Sequence, residues 1–185
     1  SNNSGISRRK CMNGRTLTPL TTRATRLSGL LAILGAFLLD QATKLWALAA
    51  LGRGEVFAVL PVFNLRLSFN EGISFSLFTE TFTGRPLMLA GITLLMTALL
   101  GLLLVRSTTR LEAVALGLII GGALGNVLDR LRIGAVVDFL DFHVWGFHWP
   151  AFNLADSAIV IGAMALVAST FIGNRPGQIS EETSP

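Results

Sequence analysis

Four stretches of predominantly apolar residues limit what this chain can fold into more than any other feature. They cover residues 27–51, 86–105, 111–128 and 154–173. A hydrocarbon core about 30 Å thick is crossed by about 20 apolar residues in helical form, so each stretch is long enough to span a bilayer. The first is interrupted by Asp40 and Lys44, and the second carries no charge. The third has Glu112 near its start and Asn126 near its end, and the fourth has Asp156 near its start. The chain is 51% apolar and only 14% charged, against roughly a quarter charged in soluble domains. That excludes a disordered chain, which needs low hydrophobicity and high charge. A single cysteine, Cys11, excludes an internal disulfide framework or a cysteine-based structural zinc site.

The placement of the basic residues gives the orientation. Six of the fifteen Lys and Arg lie in residues 1–26, with no acid among them. The net charge of +4 therefore describes a basic arm on an apolar body and points to no nucleic acid partner. The first span follows this arm without a small-residue cleavage pattern, which reads as a retained helix and not a removable signal peptide. With the N-terminus inside, the inner segments hold nine basic residues and the outer segments five. The positive-inside rule then sets both termini in the cytoplasm.

The outer segments carry the non-helical structure. From Phe63 to Asn70 apolar and polar residues alternate strictly, and the alternation resumes at Ile73, Phe75 and Leu77 against Ser74 and Ser76. This predicts a half-buried hairpin with its turn at Asn70-Glu71-Gly72. The expected fold is an all-α membrane protein: a four-transmembrane-helix bundle with a small extramembrane β-hairpin or β-sheet platform on the outer side. It divides into a basic cytoplasmic arm (1–26), a four-helix domain (27–173) and a disordered tail (174–185). Within the domain the outer β segment covers about 52–85 and an outer loop about 129–153.

On this topology the costly polar residues gather in one layer near the outer surface. Asp40 and Lys44 fall in the outer half of span one; Asn126, Asp129 and Arg130 end span three; Asn153 and Asp156 open span four. Asn70 and Asp138 belong to the outer segments themselves. A carboxylate at bilayer depth costs a few kcal/mol, so it faces the bundle interior and often has a task. Two aspartates sharing a site cannot both ionise, and such a pair can activate water and protonate a leaving amine. Asp156, one turn inside its span, is a candidate. Its partner stays open among Asp129, Asp138 and Asp141.

Five blocks carry a resemblance to a known family. They are Asp40-Gln-Ala-Thr-Lys44, Asn70-Glu-Gly-Ile-Ser-Phe75, Gly121-Gly-Ala-Leu-Gly-Asn-Val-Leu-Asp-Arg130, Val136-Val-Asp-Phe139 and Pro150-Ala-Phe-Asn-Leu-Ala-Asp-Ser157. In this order, over about residues 27–173, the chain resembles the bacterial lipoprotein signal peptidase (signal peptidase II) family. The resemblance implies an intramembrane aspartic endopeptidase of the inner membrane. Its substrate would be a diacylglyceryl-modified prolipoprotein, cut just before the lipidated cysteine near the periplasmic face. It further implies Asp138 and Asp156 as the catalytic pair, and Asn126, Arg130 and Asn153 as residues that hold substrate backbone and orient the pair. Asn70 and Gly72 would line the substrate groove, while Asp40 and Lys44 would be structural, fixing the β segment to the helix. The partners implied are the prolipoprotein, bilayer lipids and the cyclic peptide inhibitor globomycin, with a monomer sufficient and no cofactor or metal. Ile73-Ser74 is bulkier than the small pair of the family's motif, and the basic arm has no counterpart in it.

Plainer readings attach to the same residues. Asn153 and Asp156 both suit a helix start. Asp129 and Arg130 read as a structural ion pair, and Asp40 and Lys44 as an i,i+4 pair that neutralises itself. Asp141, His143 and His148 read as interfacial residues and not as a zinc site. Gly121, Gly122 and Gly125 permit close helix packing. Two other classes of function compete: a Ser–Lys protease using Lys44 with Ser68, Ser74 or Ser76, and a small carrier relaying protons through Asp40, Lys44 and Asp156.

Overall fold

In a lipid environment apolar side chains gain nothing by turning inward, so helices associate where small residues let their backbones approach. The computed structural model, which describes residues 19–72 and 85–173, follows that rule. Four helices are long and apolar enough to cross a membrane: α1 (Pro19–Ala50), α2 (Pro86–Arg106), α3 (Arg110–Ile133) and α4 (Leu154–Gly173). The third is the hub. Of its most apolar stretch 61% is buried, against 17%, 22% and 11% in the other three. Its glycines explain why. A Cβ at Gly121 would stand 2.5 Å from the Ile33 carbonyl oxygen of α1, and one at Gly122 equally close to the Ala155 carbonyl oxygen of α4. Leu104, Leu116 and Ile120 fill the remaining space, packed against Ile33, Leu100, Leu124 and Leu166. Outward, Leu30, Leu34, Leu95, Leu102 and Val167 are exposed, as lipid-facing positions should be.

Helix ends account for where the spans stop. Thr109 caps α3, its hydroxyl accepting the Glu112 amide at 3.2 Å, while Glu112 accepts the Thr108 amide. At the other end Gly134 adopts φ 75°, a left-handed conformation that favours glycine, and its amide donates to the Arg130 carbonyl. The helix therefore runs to Ile133, which moves Asp129 and Arg130 out of the expected outer loop and into the last helical turns. The rest of that expected loop is largely strand.

The platform is an antiparallel sheet in the order β1-β2-β3-β4. Its strands are β1 (Val56–Leu60), β2 (Phe63–Asn70), β3 (Val136–Val144) and β4 (Phe147–His148). The alternating segment from Phe63 to Asn70 is a strand, as its pattern requires. β2 pairs with β1 along Phe63–Arg66 on one side and with β3 on the other. The proposed return strand at Ile73, Phe75 and Leu77 lies outside the described residues, as do residues 1–18 of the basic arm and the tail from 174. β1 falls inside the expected outer β segment, although Val-Phe-Ala-Val-Leu does not alternate and all five of its residues are exposed. β3 is the opposite case, with its first four residues buried. It lies between β2 and Phe152, which exchanges backbone hydrogen bonds with Leu140. Ala47, Leu51 and Phe139, joined by Leu65, Leu67, Leu140 and Leu154, seal the platform onto the helix ends.

Candidate active site

α1 and α3 end, and α4 begins, under the platform, so one end of the bundle collects their polar residues. Asn153 is the N-cap of α4: its side-chain oxygen accepts the Asp156 amide at 3.0 Å, and Asp156 Oδ2 accepts the Asn153 amide at 3.2 Å. This reciprocal pair satisfies two of the donors that every helix start leaves open. Asp156 thus does cap span four. It also does more, because its other oxygen accepts from Asn126 Nδ2 at 2.9 Å.

Asp138 approaches from β3. Its Oδ1 accepts from Asn153 Nδ2 at 2.6 Å and its Oδ2 from Asn70 Nδ2 at 3.2 Å. Asn153 Nδ2 also lies 3.2 Å from Asn126 Oδ1. Two asparagines therefore link the two carboxylates, Asn126 holding Asp156 and Asn153 touching both. Asp138 is only 2% exposed. Burial and then the charge of Asp156 push its carboxyl up to about 7, against the pull of the Asn70 and Asn153 hydrogen bonds and the Lys44 charge. A carboxyl placed so can hold a proton at neutral pH and release it within one catalytic cycle.

The remaining site residues close the polar side. Asn70 Oδ1 accepts the Gly72 amide at 3.1 Å, shaping the end of β2. Arg130 Nη2 donates to the Gly72 carbonyl at 3.0 Å and Nη1 to the Asn126 carbonyl at 3.4 Å. Its charge acts on Asp138 and Asp156 together. On the other side of Asp156 lies an apolar cavity of about 470 Å³, lined by Trp149, Phe152, Val160 and Ile161 with Ser157. Val160 and Ile161 are over half exposed on the outer face of α4, so the cavity faces the lipid.

Beneath these groups Lys44, 2% exposed, bonds Asp40 Oδ2 and Asp129 Oδ2, each at 2.8 Å. The i,i+4 pair expected between Asp40 and Lys44 exists, but Asp129 is paired with Lys44 and not with Arg130. Nor do Asp40 and Lys44 chiefly fix the β segment. Asp40 Oδ1 accepts the Ala155 amide at 3.0 Å, in the first turn of α4, so the cluster ties α1 to α3 and α4. Among the described residues it reaches the sheet through the Val137 amide, which donates to Asp129 Oδ2 at 3.2 Å. Gln41, which carried no assigned role, donates to Asp40, Asp129 and the Gly125 carbonyl. As a polar residue beside Asp40 in a hydrophobic span, it carried the signal.

Asp141, expected as an interfacial residue, has its partners inside the protein. It is fully buried within the platform, with His148 Nδ1 at 2.9 Å and Asn64 Nδ2 at 3.3 Å. Burial works to raise its carboxyl, yet the hydrogen bonds from His148 and Asn64 hold it below the ordinary carboxylate range. His143 stacks on His148 with ring centres 4.9 Å apart. No group of three metal-ligating side chains occurs among the described residues. The Ser–Lys alternative loses its base. Lys44 Nζ is taken up by three acceptors, Asp40, Asp129 and Asn126, and Ser68 is not one of them. Ser74 and Ser76 lie outside the described residues.

Four spans, a sheet at one end of the bundle and a linked pair of carboxylates fit a multi-pass membrane enzyme. The family model described as signal peptidase (SPase) II matches residues 32–172. The lipoprotein signal peptidase of Rhodopseudomonas palustris is 48% identical over 152 residues, covering 78% of this chain and 92% of that protein. That of Burkholderia mallei is 45% identical over 131 residues, covering 70% of this chain and 79% of that one. A bacterial membrane enzyme solved by the in meso method at 2.3 Å resolution superposes with a TM-score of 0.69 at 26% identity, over 85% of this chain and 93% of the other. The chain belongs to the signal peptidase II family, and is a peptidase.

Proposed function

We propose that this chain is an intramembrane aspartic endopeptidase. It removes signal peptides from diacylglyceryl-modified prolipoproteins by cutting just before the lipidated cysteine. The observation that carries the reading is the pair Asp138 and Asp156, linked through Asn126 and Asn153. Asp138, with its carboxyl near 7, is the member that holds the proton. Asp156 takes a proton from water as the water oxygen bonds the scissile carbonyl carbon. Asp138 gives its proton to the carbonyl oxygen, which becomes the hydroxyl of a tetrahedral intermediate. Collapse breaks the C–N bond, a proton passes to the leaving nitrogen, and the products are a signal-peptide carboxylate and the free amine of the lipidated cysteine.

Substrate backbone lies along Asn70, Gly72, Asn126, Arg130 and Asn153. The cavity beside Asp156 opens toward lipid, so a membrane-anchored substrate enters laterally. Globomycin, in this reading, binds where the substrate lies. The enzyme works as a monomer in the bacterial inner membrane, with both termini cytoplasmic and the site near the periplasmic face.

Asp138→Asn and Asp156→Asn, each purified as a folded protein, are expected to abolish cleavage of a lipidated prolipoprotein. Cleavage at the normal rate by either variant overturns the assignment.

A further inference from the structure

Lys44 has one bond more than charge neutralisation needs. Asp40 and Asp129 already supply two carboxylates to one ammonium. The remaining contact runs from Nζ to Asn126 Oδ1 at 2.8 Å, about one turn along α3 from Asp129 and on the residue that holds Asp156. A carboxamide has two unlike ends, an acceptor oxygen and a donor NH2. With the ammonium and Asn153 Nδ2 both on Asn126 Oδ1, the NH2 must point at Asp156 Oδ1, where it lies at 2.9 Å. Turning the amide over would set NH2 against NH3+ and carbonyl oxygen against carboxylate. The same Asn153 NH2 continues to Asp138 Oδ1 at 2.6 Å.

We infer that Lys44 is a positioning residue for the catalytic pair: through Asn126 it fixes which way the linking amides face, and so where both carboxylates stand. The inference rests on the Asp138–Asp156 reading and extends it to a residue that touches neither aspartate. Hydrogen bonds in such a chain polarise one another, so the ammonium strengthens the donor end of Asn126 as well as orienting it. Among the described residues the charges acting on the pair are Lys44 from α1, on Asp138, and Arg130 from α3, on both carboxylates; the one charge of α2 is Arg106 in its last turn. A lysine that only neutralised charge would stop at Asp40 and Asp129.

The test uses the full chain in detergent with a synthetic diacylglyceryl prolipoprotein peptide. Lys44→Met is expected to lower kcat by roughly 10²-fold, the scale of a misplaced catalytic group, with little change in KM. It also moves the bell-shaped pH profile to higher pH, because the Lys44 charge favours ionisation of Asp138. Lys44→Arg restores the position of the profile. Asp129→Asn breaks the same helix junction but removes a negative charge, so its profile stays or moves to lower pH. Asn126→Leu reproduces the Lys44→Met shift, and the double variant loses little more than the worse single one, as members of one chain must.

Should Lys44→Met fail to fold, Lys44→Met/Asp129→Asn removes an uncompensated carboxylate and takes its place, its profile read against Asp129→Asn alone and expected at higher pH than that variant's. A folded Lys44→Met with the parent pH profile, losses that add in the double variant, or an Asn126→Leu with the parent profile each overturns the inference. Activity surviving in Asp138→Asn or Asp156→Asn overturns the underlying pair instead, so the two failures are distinguishable.

Discussion

Asp138 bears a cost that its function explains. An aspartate in the unfolded chain ionises near 3.8, and burial pushes this one up to about 7. The folded state therefore binds the proton more tightly than the unfolded state. The resulting stability is fully present below about pH 4 and is lost as pH rises through 7. At 1.4 kcal/mol per unit the difference is about 4 kcal/mol. Asp138→Asn has no carboxyl to ionise, so its stability relative to the parent should climb between pH 4 and pH 8. Thermal unfolding in detergent at those two pH values measures this, and a constant offset would contradict the assignment. The same residue marks how far single positions were legible. Asp129, Asp138 and Asp141 fall within thirteen residues in similar apolar surroundings, and composition cannot rank them. Structure separates them by geometry. Asp138 and Asp141 are three apart on β3, so the alternation of a strand sends them to opposite faces. One meets Asn153, the other His148. Asp129, inside α3, faces Lys44. Sequence holds those directions only once helix end and strand start are known.

Among the elements, α3 sets the geometry of the others. Gly121 lets α1 approach closely enough for Lys44 to reach Asp129 and Asn126. Gly121→Ala would place a Cβ 2.5 Å from the Ile33 carbonyl oxygen and 2.9 Å from Ala36 Cβ. Backbone cannot yield as a flexible side-chain tip does, so the helices must separate. Overpacking of this kind costs about 1–3 kcal/mol, and the polar bonds above it lengthen with it. A lower Tm and reduced cleavage are expected together. Gly101→Ala in α2 meets nothing within 4 Å, and should hold or raise the Tm by removing a flexible helical residue. Equal effects from the two substitutions would show that α1 and α3 do not pack as described. The spans themselves were legible because hydropathy over twenty residues is a strong signal. Their ends were less so: α3 runs on to Gly134 through Asp129, Arg130 and Arg132, which look like loop by charge. β1 was legible only as part of a broader β segment, and β3 not as a strand. The first is exposed throughout and the second starts buried throughout, and neither produces the alternation that marked β2.

At the scale of the whole molecule, polarity is divided between two ends. The carboxylate pair, the Lys44 cluster and the sheet occupy one end, while Arg106 and Arg110 flank the short α2–α3 turn at the other. With positive charge held inside, the proposed orientation is the one that puts the site on the outer side, where a substrate anchored in the outer leaflet would meet it by lateral movement. Two positions report the orientation directly. Thr108 is exposed in the α2–α3 turn, and Glu55 is exposed between α1 and β1. With Cys11 replaced by serine, Thr108→Cys and Glu55→Cys each carry the sole thiol. In right-side-out inner-membrane vesicles a membrane-impermeant maleimide is expected to label the Glu55→Cys protein at once. The Thr108→Cys protein should react only after permeabilisation. Neither substitution touches a polar group of the site, so both proteins should still cleave a lipidated prolipoprotein, which shows that the labelled molecules are correctly inserted. The reverse labelling pattern in active protein would put Asp138 and Asp156 on the cytoplasmic side. A substrate delivered across the membrane could then not reach them, and lateral access from the outer leaflet would have to be abandoned even if the catalytic pair stood.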